Sequence, residues 1–323
     1  MRHLSVVLLC FAVGCGATNP NHGGGGSGGT GGGGTGGTGG GGTGGSGGGG
    51  SGGSGGGTGT GDCSDAAKLI YVIDQDGTFS SFKPDQMTIA NSVFTDIGKL
   101  NCSGAGGFYE PFSMSVDRNA VAWVEYVDQS GGLGGGSPNM LFNVSTANAA
   151  CTPTSFTGGQ QGFDEFGMGF VSNAAMSTDE TLFIGGGDMV GGSSNLGTLD
   201  TTSLMITKGN SLTGDPELTG TGLADLWGFF PVTGNNTMAR VSKIDKSSAM
   251  ESSQIPLTSL TGMASAWAFA FYGGDFYVFL ASGNKATIVY HVTQNGGTQP
   301  VDMLDTGTRH IVGAGVSTCA PTT

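Results

Sequence analysis

The chain has 323 residues, a net charge of −13 and 67 glycines. Its 24 acidic side chains all lie in 62–323, against 10 basic ones there, a net charge of −14. No basic stripe exists to neutralise phosphates, which excludes nucleic acid as a partner.

Residues 1–14 read as a signal peptide. Arg2 supplies a positive start and Leu4 to Val13 is uncharged and apolar, too short to span a bilayer. The run ends in Ala12-Val13-Gly14-Cys15, which resembles the lipobox of bacterial lipoproteins, with Ala12 where a leucine is usual. The resemblance covers fifteen residues. It implies that Cys15 is acylated and becomes the new N-terminus. Gly16 follows, so an acidic inner-membrane retention signal is absent, and an outer-membrane lipoprotein facing the periplasm or the cell surface is expected. Residues 15–61 then carry the lipidated cysteine and a linker. From 23 to 61 the chain contains only 29 Gly and 10 Ser or Thr. Nothing apolar is present to offset the entropy of ordering, so this glycine-rich stretch reads as a disordered tether.

Residues 62–323 are long enough for one sizeable core. Leu69 to Ile73 is β-rich, and Asp74-Gln75-Asp76-Gly77 reads as a hairpin turn rather than a calcium loop, since the later acidic ligands are missing. Thr78 to Phe82 follows as a second strand. A phrase of bulky, small and apolar residues then recurs: Phe112-Ser113-Met114, Phe166-Gly167-Met168, Trp227-Gly228-Phe229, Trp267-Ala268-Phe269 and Val312-Gly313-Ala314, at intervals of 54, 61, 40 and 45 residues. Such periods with strand-like residues predict an all-β fold, a β-propeller of five four-stranded blades. Six blades is the alternative, if 166–226 hides one more.

In this parse the phrase marks the innermost strand, where converging strands leave room only for small residues. Second strands are expected at 120–127, 181–186, 236–242 and 275–281, and third strands near 139–145, 195–200 and 287–293. Segment 68–100 holds three strand-like runs with no inner strand, and 312–316 is an inner strand with no followers. Joining them closes the ring and removes an open edge. Cys63 and Cys319 then flank the joint and are expected to form a disulfide. Cys102 pairs with Cys151 by elimination, although four cysteines allow three connectivities.

Two residues upstream of each phrase stand Glu110, Asp164, Asp225, Ser265 and His310. Loops entering the inner strands converge at one mouth of a propeller, so these five are the expected ligand-binding residues. Clustered carboxylates there suit Ca²⁺ or a hydroxyl-rich ligand. Asp128 to Ser137 and Gly185 to Ser194 are long glycine-rich loops expected on the same face. Trp227 and Trp267 could stack on sugar rings, but their equivalent positions favour packing of blade on blade.

Catalytic signatures are absent: no G-x-S-x-G elbow, no phosphate loop, and His291 on a strand, where a structural role is expected. Glu110, Asp164 and Asp225 on three blades resemble, in architecture only, the acidic mouths of five-bladed furanosidase-type glycosidases. The function expected is recognition of a surface glycan or envelope protein, or scaffolding at the cell envelope, rather than catalysis. The alternative is a carbohydrate-active hydrolase using the acidic mouth.

Overall fold

A computed structural model describes residues 63–87, 93–130, 138–187, 194–234, 236–295, 298–301 and 307–323. The signal segment, Cys15, the linker and parts of the two long glycine-rich loops lie outside the described residues. No described helix is long and apolar enough to cross a membrane.

Among the described residues, twenty strands form five four-stranded antiparallel sheets. Blade 1 contains β1 (Ile70–Asp74), β2 (Thr78–Phe82) and β3 (Phe94–Lys99). Blade 2 is β4 (Tyr109–Val116), β5 (Val121–Asp128), β6 (Met140–Ser145) and β7 (Cys151–Pro153). Blade 3 is β8 (Glu165–Ser172), β9 (Glu180–Gly187), β10 (Asn195–Leu199) and β11 (Ile206–Ser211). Blade 4 is β12 (Glu217–Gly220), β13 (Leu226–Phe230), β14 (Arg240–Ile244) and β15 (Glu251–Pro256). Blade 5 is β16 (Ala264–Tyr272), β17 (Asp275–Ser282), β18 (Ile288–Val292) and β19 (Thr298–Val301). The last strand, β20 (Ile311–Gly315), returns to pair with β1 through Tyr71↔Gly315, Val72↔Ala314 and Ile73↔Gly313, and completes blade 1. The inner strands β20, β4, β8, β12 and β16 neighbour one another in that order around the axis.

Crowding at the axis selects the small residues. A Cβ on Gly167 would lie 2.3 Å from the Pro216 carbonyl oxygen, and one on Gly220 would lie 2.1 Å from that of Phe170. The inner edge of each inner strand has no further strand to pair with, so its amides find side chains instead. Phe170 N donates to Ser115 Oγ at 3.0 Å, and Phe271 N to Thr219 Oγ1 at 3.2 Å. The apolar core fills the gaps between blades. Phe82 and Phe279 meet edge-on between blades 1 and 5, and Trp227 lies against Phe276 at 4.9 Å between blades 4 and 5. Trp227 is buried, in the packing role expected of it.

One strand assignment is corrected. Trp227-Gly228-Phe229 lies on β13, the second strand of blade 4, and the inner strand is Glu217–Gly220. Accordingly 236–242 belongs to the third strand, β14, not the second. The inner strands start at 109, 165, 217, 264 and 311, a more even spacing than the phrase suggested. β12 was hidden because Glu217-Leu218-Thr219-Gly220 offers one large apolar side chain, whereas Leu226-Trp227-Gly228-Phe229-Phe230 offers four.

Both expected disulfides are formed, Cys63–Cys319 across 256 residues and Cys102–Cys151 across 49. The first ties the segment before β1 to the tail that follows β20. The second ties the exit of blade 1 to the outermost strand of blade 2. Replacing Cys63 and Cys319 together by serine is expected to lower the unfolding free energy by about 5 kcal/mol, and the Cys102/Cys151 pair by about 4 kcal/mol, from the loop lengths released. Urea unfolding of oxidised protein measures both, and a larger loss for the shorter loop would contradict the ordering.

Candidate functional site: a blind cup at the propeller axis

The two faces of the ring differ. On one face the turns from inner to second strands form a floor, and the C-terminal tail crosses it. Ser317 Oγ donates to the Ala67 carbonyl at 2.6 Å, and Thr318 Oγ1 donates to Glu180 Oε2 at 2.8 Å. Arg118 Nη1 reaches Thr318 Oγ1 at 3.1 Å. The Thr318 carbonyl oxygen lies 2.5 Å from where a Gly222 Cβ would stand, and Gly273 N donates to the Pro321 carbonyl at 2.8 Å. The tail therefore touches the floor turns of blades 2, 3, 4 and 5, and Ser317, Thr318 and Ala320 are buried beneath the channel.

The opposite face opens into a cavity of about 280 Å³, lined from all five blades. Gln75 and Val312 come from blade 1, Glu110, Phe112 and Gln129 from blade 2, and Glu165 from blade 3. Asp215 and Glu217 come from blade 4, and Ser265 and Trp267 from blade 5. Of the five expected ligand-binding residues, Glu110 and Ser265 line this cup. Glu110 accepts a hydrogen bond from Gln75 Nε2 at 2.6 Å, and Ser265 Oγ donates to the Gly283 carbonyl at 2.8 Å. Asp164 stands beside Glu165 and acts on it electrostatically. His310 lines an adjoining cavity, and its carbonyl accepts from Gln75 N at 2.7 Å. Trp267 is half-buried, packing against the core between blades 4 and 5 while also lining the cup.

Asp225 is not at the mouth. It closes the floor turn between β12 and β13, where Thr221 N donates to its carbonyl at 3.0 Å, and its carboxylate pairs with Lys243 at 2.7 Å. Thr221 to Asp225 repeats the turn Asp117 to Val121 of blade 2, with Ala224 and Ala120 both at positive φ (68° and 59°). The error follows from taking β13 for the inner strand. In blade 4 the loop entering β12 carries Asp215 to the mouth.

Three glutamates escaped the sequence reading. Glu217 is fully buried and projects from β12 into the channel. It meets Ser113 Oγ of blade 2 at 2.5 Å and takes the Met168 amide of blade 3. Burial pushes its carboxyl well above the ordinary value. Glu125 lies on β5, accepts from Asn139 Nδ2 at 2.5 Å and from Phe166 N at 3.1 Å, and is pushed up in the same way. Glu165, at the head of β8, is raised to about 7 by burial and then by Asp215 and Asp164. Nothing marked Glu125 within Trp123 to Val127, an otherwise apolar strand where one charge reads as an outward residue. Glu165 was one residue from the position selected.

The structural readings of the remaining residues hold. Gly77 completes the hairpin turn at φ 85° with its amide on the Asp74 carbonyl at 2.8 Å. His291 Nε2 pairs with Asp275 at 2.8 Å and stacks on Tyr277. Among the described residues no group of three or more His, Cys, Asp or Glu side chains is placed to hold a metal ion.

No protein-family model matches the chain, and no curated protein matches it. Solved structures do resemble it. A luciferin-regenerating enzyme aligns at 11% identity and TM-score 0.38, over 77% of this chain and 87% of its own. TolB from Acinetobacter baumannii aligns at 9% and 0.42, over 78% and 67%. A protein of unknown function from Dyadobacter fermentans aligns at 8% and 0.41, over 75% and 82%. At these identities and scores the likeness carries no functional argument, and the site must be argued from its own residues.

The raised carboxyls set a pH dependence. Between the unfolded value near 4.5 and about 7, native Glu165 holds a proton that the unfolded chain has lost. Its stabilising contribution is complete below pH 4.5 and disappears as pH rises through 7. Glu165→Gln is therefore expected to flatten the fall in stability between pH 5 and 7.5 by about 2 kcal/mol in urea unfolding. Glu217→Gln, which keeps the oxygen facing Met168 N, is expected to unfold like wild type at pH 5. Glu217→Ala strands Ser113 and that amide and should cost about 3 kcal/mol.

Proposed function

We propose that this protein is a ligand-recognition module of the bacterial cell envelope, carried on a lipid anchor at Cys15 and a glycine-rich tether. The observation that carries the reading is the one-ended cup: a channel closed below by the C-terminal tail, open above, and lined from every blade. A through-channel filled by packed side chains would serve stability alone. A concave site with a few convergent polar groups on apolar walls is the usual form of a binding site. Glu110, Glu165 and Asp215 offer acceptors, Gln75 and Gln129 offer donors and acceptors, and Phe112 and Trp267 offer apolar faces. That mixture suits a neutral, hydroxyl-rich ligand such as a surface glycan. Cys63, the first described residue, is bonded to Cys319 on the floor side. A tether raises the module's local concentration at the envelope.

One observation favours a second reading. Glu165, raised to about 7 beside Asp215, has the property that a general acid needs near neutral pH, and a glycoside hydrolase pairs such an acid with a second carboxylate. The acidic set for that chemistry is Glu110, Glu165 and Asp215, since Asp225 lies on the floor.

A glycan array followed by calorimetry on the strongest hit tests both. Recognition predicts binding without turnover, weakened about tenfold or more by Glu110→Ala and by Asp215→Ala, each costing about 1.4 kcal/mol or more of binding energy. Release of reducing sugar by wild type that is lost in Glu165→Gln would replace recognition with hydrolysis. Wild-type affinity in both alanine variants would remove the cup from the account.

A further inference from the structure

The cup has a neighbour. A second cavity on the same face is lined by Asp74, Asp76, Thr78, Asp96, Arg309 and His310, together with Gln75 and Glu110. The last two residues also line the cup, so the hydrogen-bonded Gln75–Glu110 pair is a low wall common to both spaces.

Asp74 is the informative residue of this second space. It is 5% exposed, and its two oxygens are treated differently. Oδ2 accepts from Arg309 Nη1 at 2.6 Å. Oδ1 is buried and has no partner. An unmet buried carboxylate oxygen carries the full cost of its desolvation, so such atoms call for a donor. Arg309, Asp76 and Asp96 already have partners. Arg309 also reaches Ser80 Oγ at 3.2 Å and the Asp96 carboxylate, and lies over the Phe94 ring at 5.0 Å. Asp96 also accepts from Ser80, and Asp76 from Thr78 N at 2.9 Å and Lys99 Nζ at 3.4 Å. Asp74 Oδ1, by contrast, lacks a donor.

We infer that the site is bipartite, and that its ligand is a polyhydroxylated chain of at least two units, one seated in the cup and the next crossing the Gln75–Glu110 wall to donate a hydroxyl to Asp74 Oδ1. This rests on the recognition reading and specifies its ligand. A neutral hydroxyl suffices as the donor, because Arg309 already supplies the countercharge to Asp74 at 2.6 Å. A chain of linked units fits two cavities that share a wall, whereas a compact ligand would occupy one. The polar groups along the path alternate acceptors (Asp215, Glu110, Asp74) with donors (Gln75, Arg309), and a hydroxyl serves both.

The test uses the full-length protein and neutral oligosaccharides of one to six units, drawn from the array hit and measured by calorimetry. Wild-type affinity is expected to rise at least tenfold between one and three units and then level off. Asp74→Asn keeps the side-chain shape and leaves its amide oxygen for Arg309. It then turns an NH₂ donor toward the ligand, and should abolish the gain with length while leaving the single-unit affinity within twofold. Thr308→Trp, at an exposed position on the rim of the second cavity, should do the same without altering any buried contact. It keeps the question answerable if Asp74→Asn unfolds. Asp215→Asn, confined to the cup, should weaken all lengths alike. Affinity independent of length, or a full length gain in both second-cavity variants, overturns the bipartite site and leaves the cup intact. Absence of wild-type binding to sugars of any length overturns the recognition reading together with this one.

Discussion

The architecture depends on one strand pairing, β20 with β1. Every other blade is drawn from a continuous stretch of chain and could form before the ring closes. Blade 1 cannot, because its inner strand arrives some 240 residues after its second, as Tyr71 facing Gly315 shows. Until that ladder forms, β1 is an unpaired edge and the groups that face the axis have no common centre. The pairing is non-local, so loop closure must be met before its hydrogen bonds contribute. The Cys63–Cys319 bond lies just outside the ladder and keeps the two ends together once oxidised.

Closure also makes the site. The tail that follows β20 is held over the floor because β20 is held in the ring. Thr318 can reach Glu180 and the Gly222 turn only from there. Floor and ring are thus two consequences of one pairing, and the cup is what remains open. The inner edge of the ring shows the same economy. Ser115, Thr219 and Glu217 are polar residues on buried strands, and each accepts an amide that no neighbouring strand could take. Glu217 further bridges blades 4, 3 and 2 across the channel. Its burial is tolerable because its oxygens are partnered, and the same burial raises its carboxyl.

The sequence revealed the repeat, the ring closure with its Cys63–Cys319 bond and, outside blade 4, the inner, second and third strands, because those rest on glycine at crowded inner strands, β-rich runs and the cysteines flanking the joint; Cys102–Cys151 followed only by elimination, and the outermost strands of blades 2 to 5 carried no signal. It misplaced blade 4, and with it Asp225, because the inner strand there is short and polar. A better marker was present. Ser145 to Ala149, Asp200 to Leu204 and Asp245 to Ala249 each close the same turn. In each, the fifth amide donates to the first carbonyl at 2.8–2.9 Å, and the fifth residue sits at φ 57–59°. These turns join third to fourth strands, so Asp245 to Ala249 follows a third strand. Counting back from it would have made 226–230 a second strand and directed attention to 215–217 at the mouth. The positive φ at alanine and leucine hid the pattern, since glycine or asparagine is expected at such positions.

The buried glutamates were beyond sequence reasoning for a different reason. A carboxyl on a strand has one of two meanings, exposed and ionised or buried and partnered, and the choice depends on which residue the neighbouring blade presents. Glu125 and Glu165 differ only in that respect. Glu125 faces Asn139 and the Phe166 amide, and its place is structural. Glu165 has acidic neighbours, Asp215 and Asp164, and lines open space, which leaves its proton available to whatever enters the cup. The same criterion separates Asp74 from the other acids of the rim. Asp76 and Asp96 have backbone, hydroxyl or cationic donors within the chain, whereas one Asp74 oxygen has none. Of the four buried side-chain oxygens without a partner among the described residues, Asp74 Oδ1 belongs to the residue that lines the second cavity, where a ligand would complete the structure.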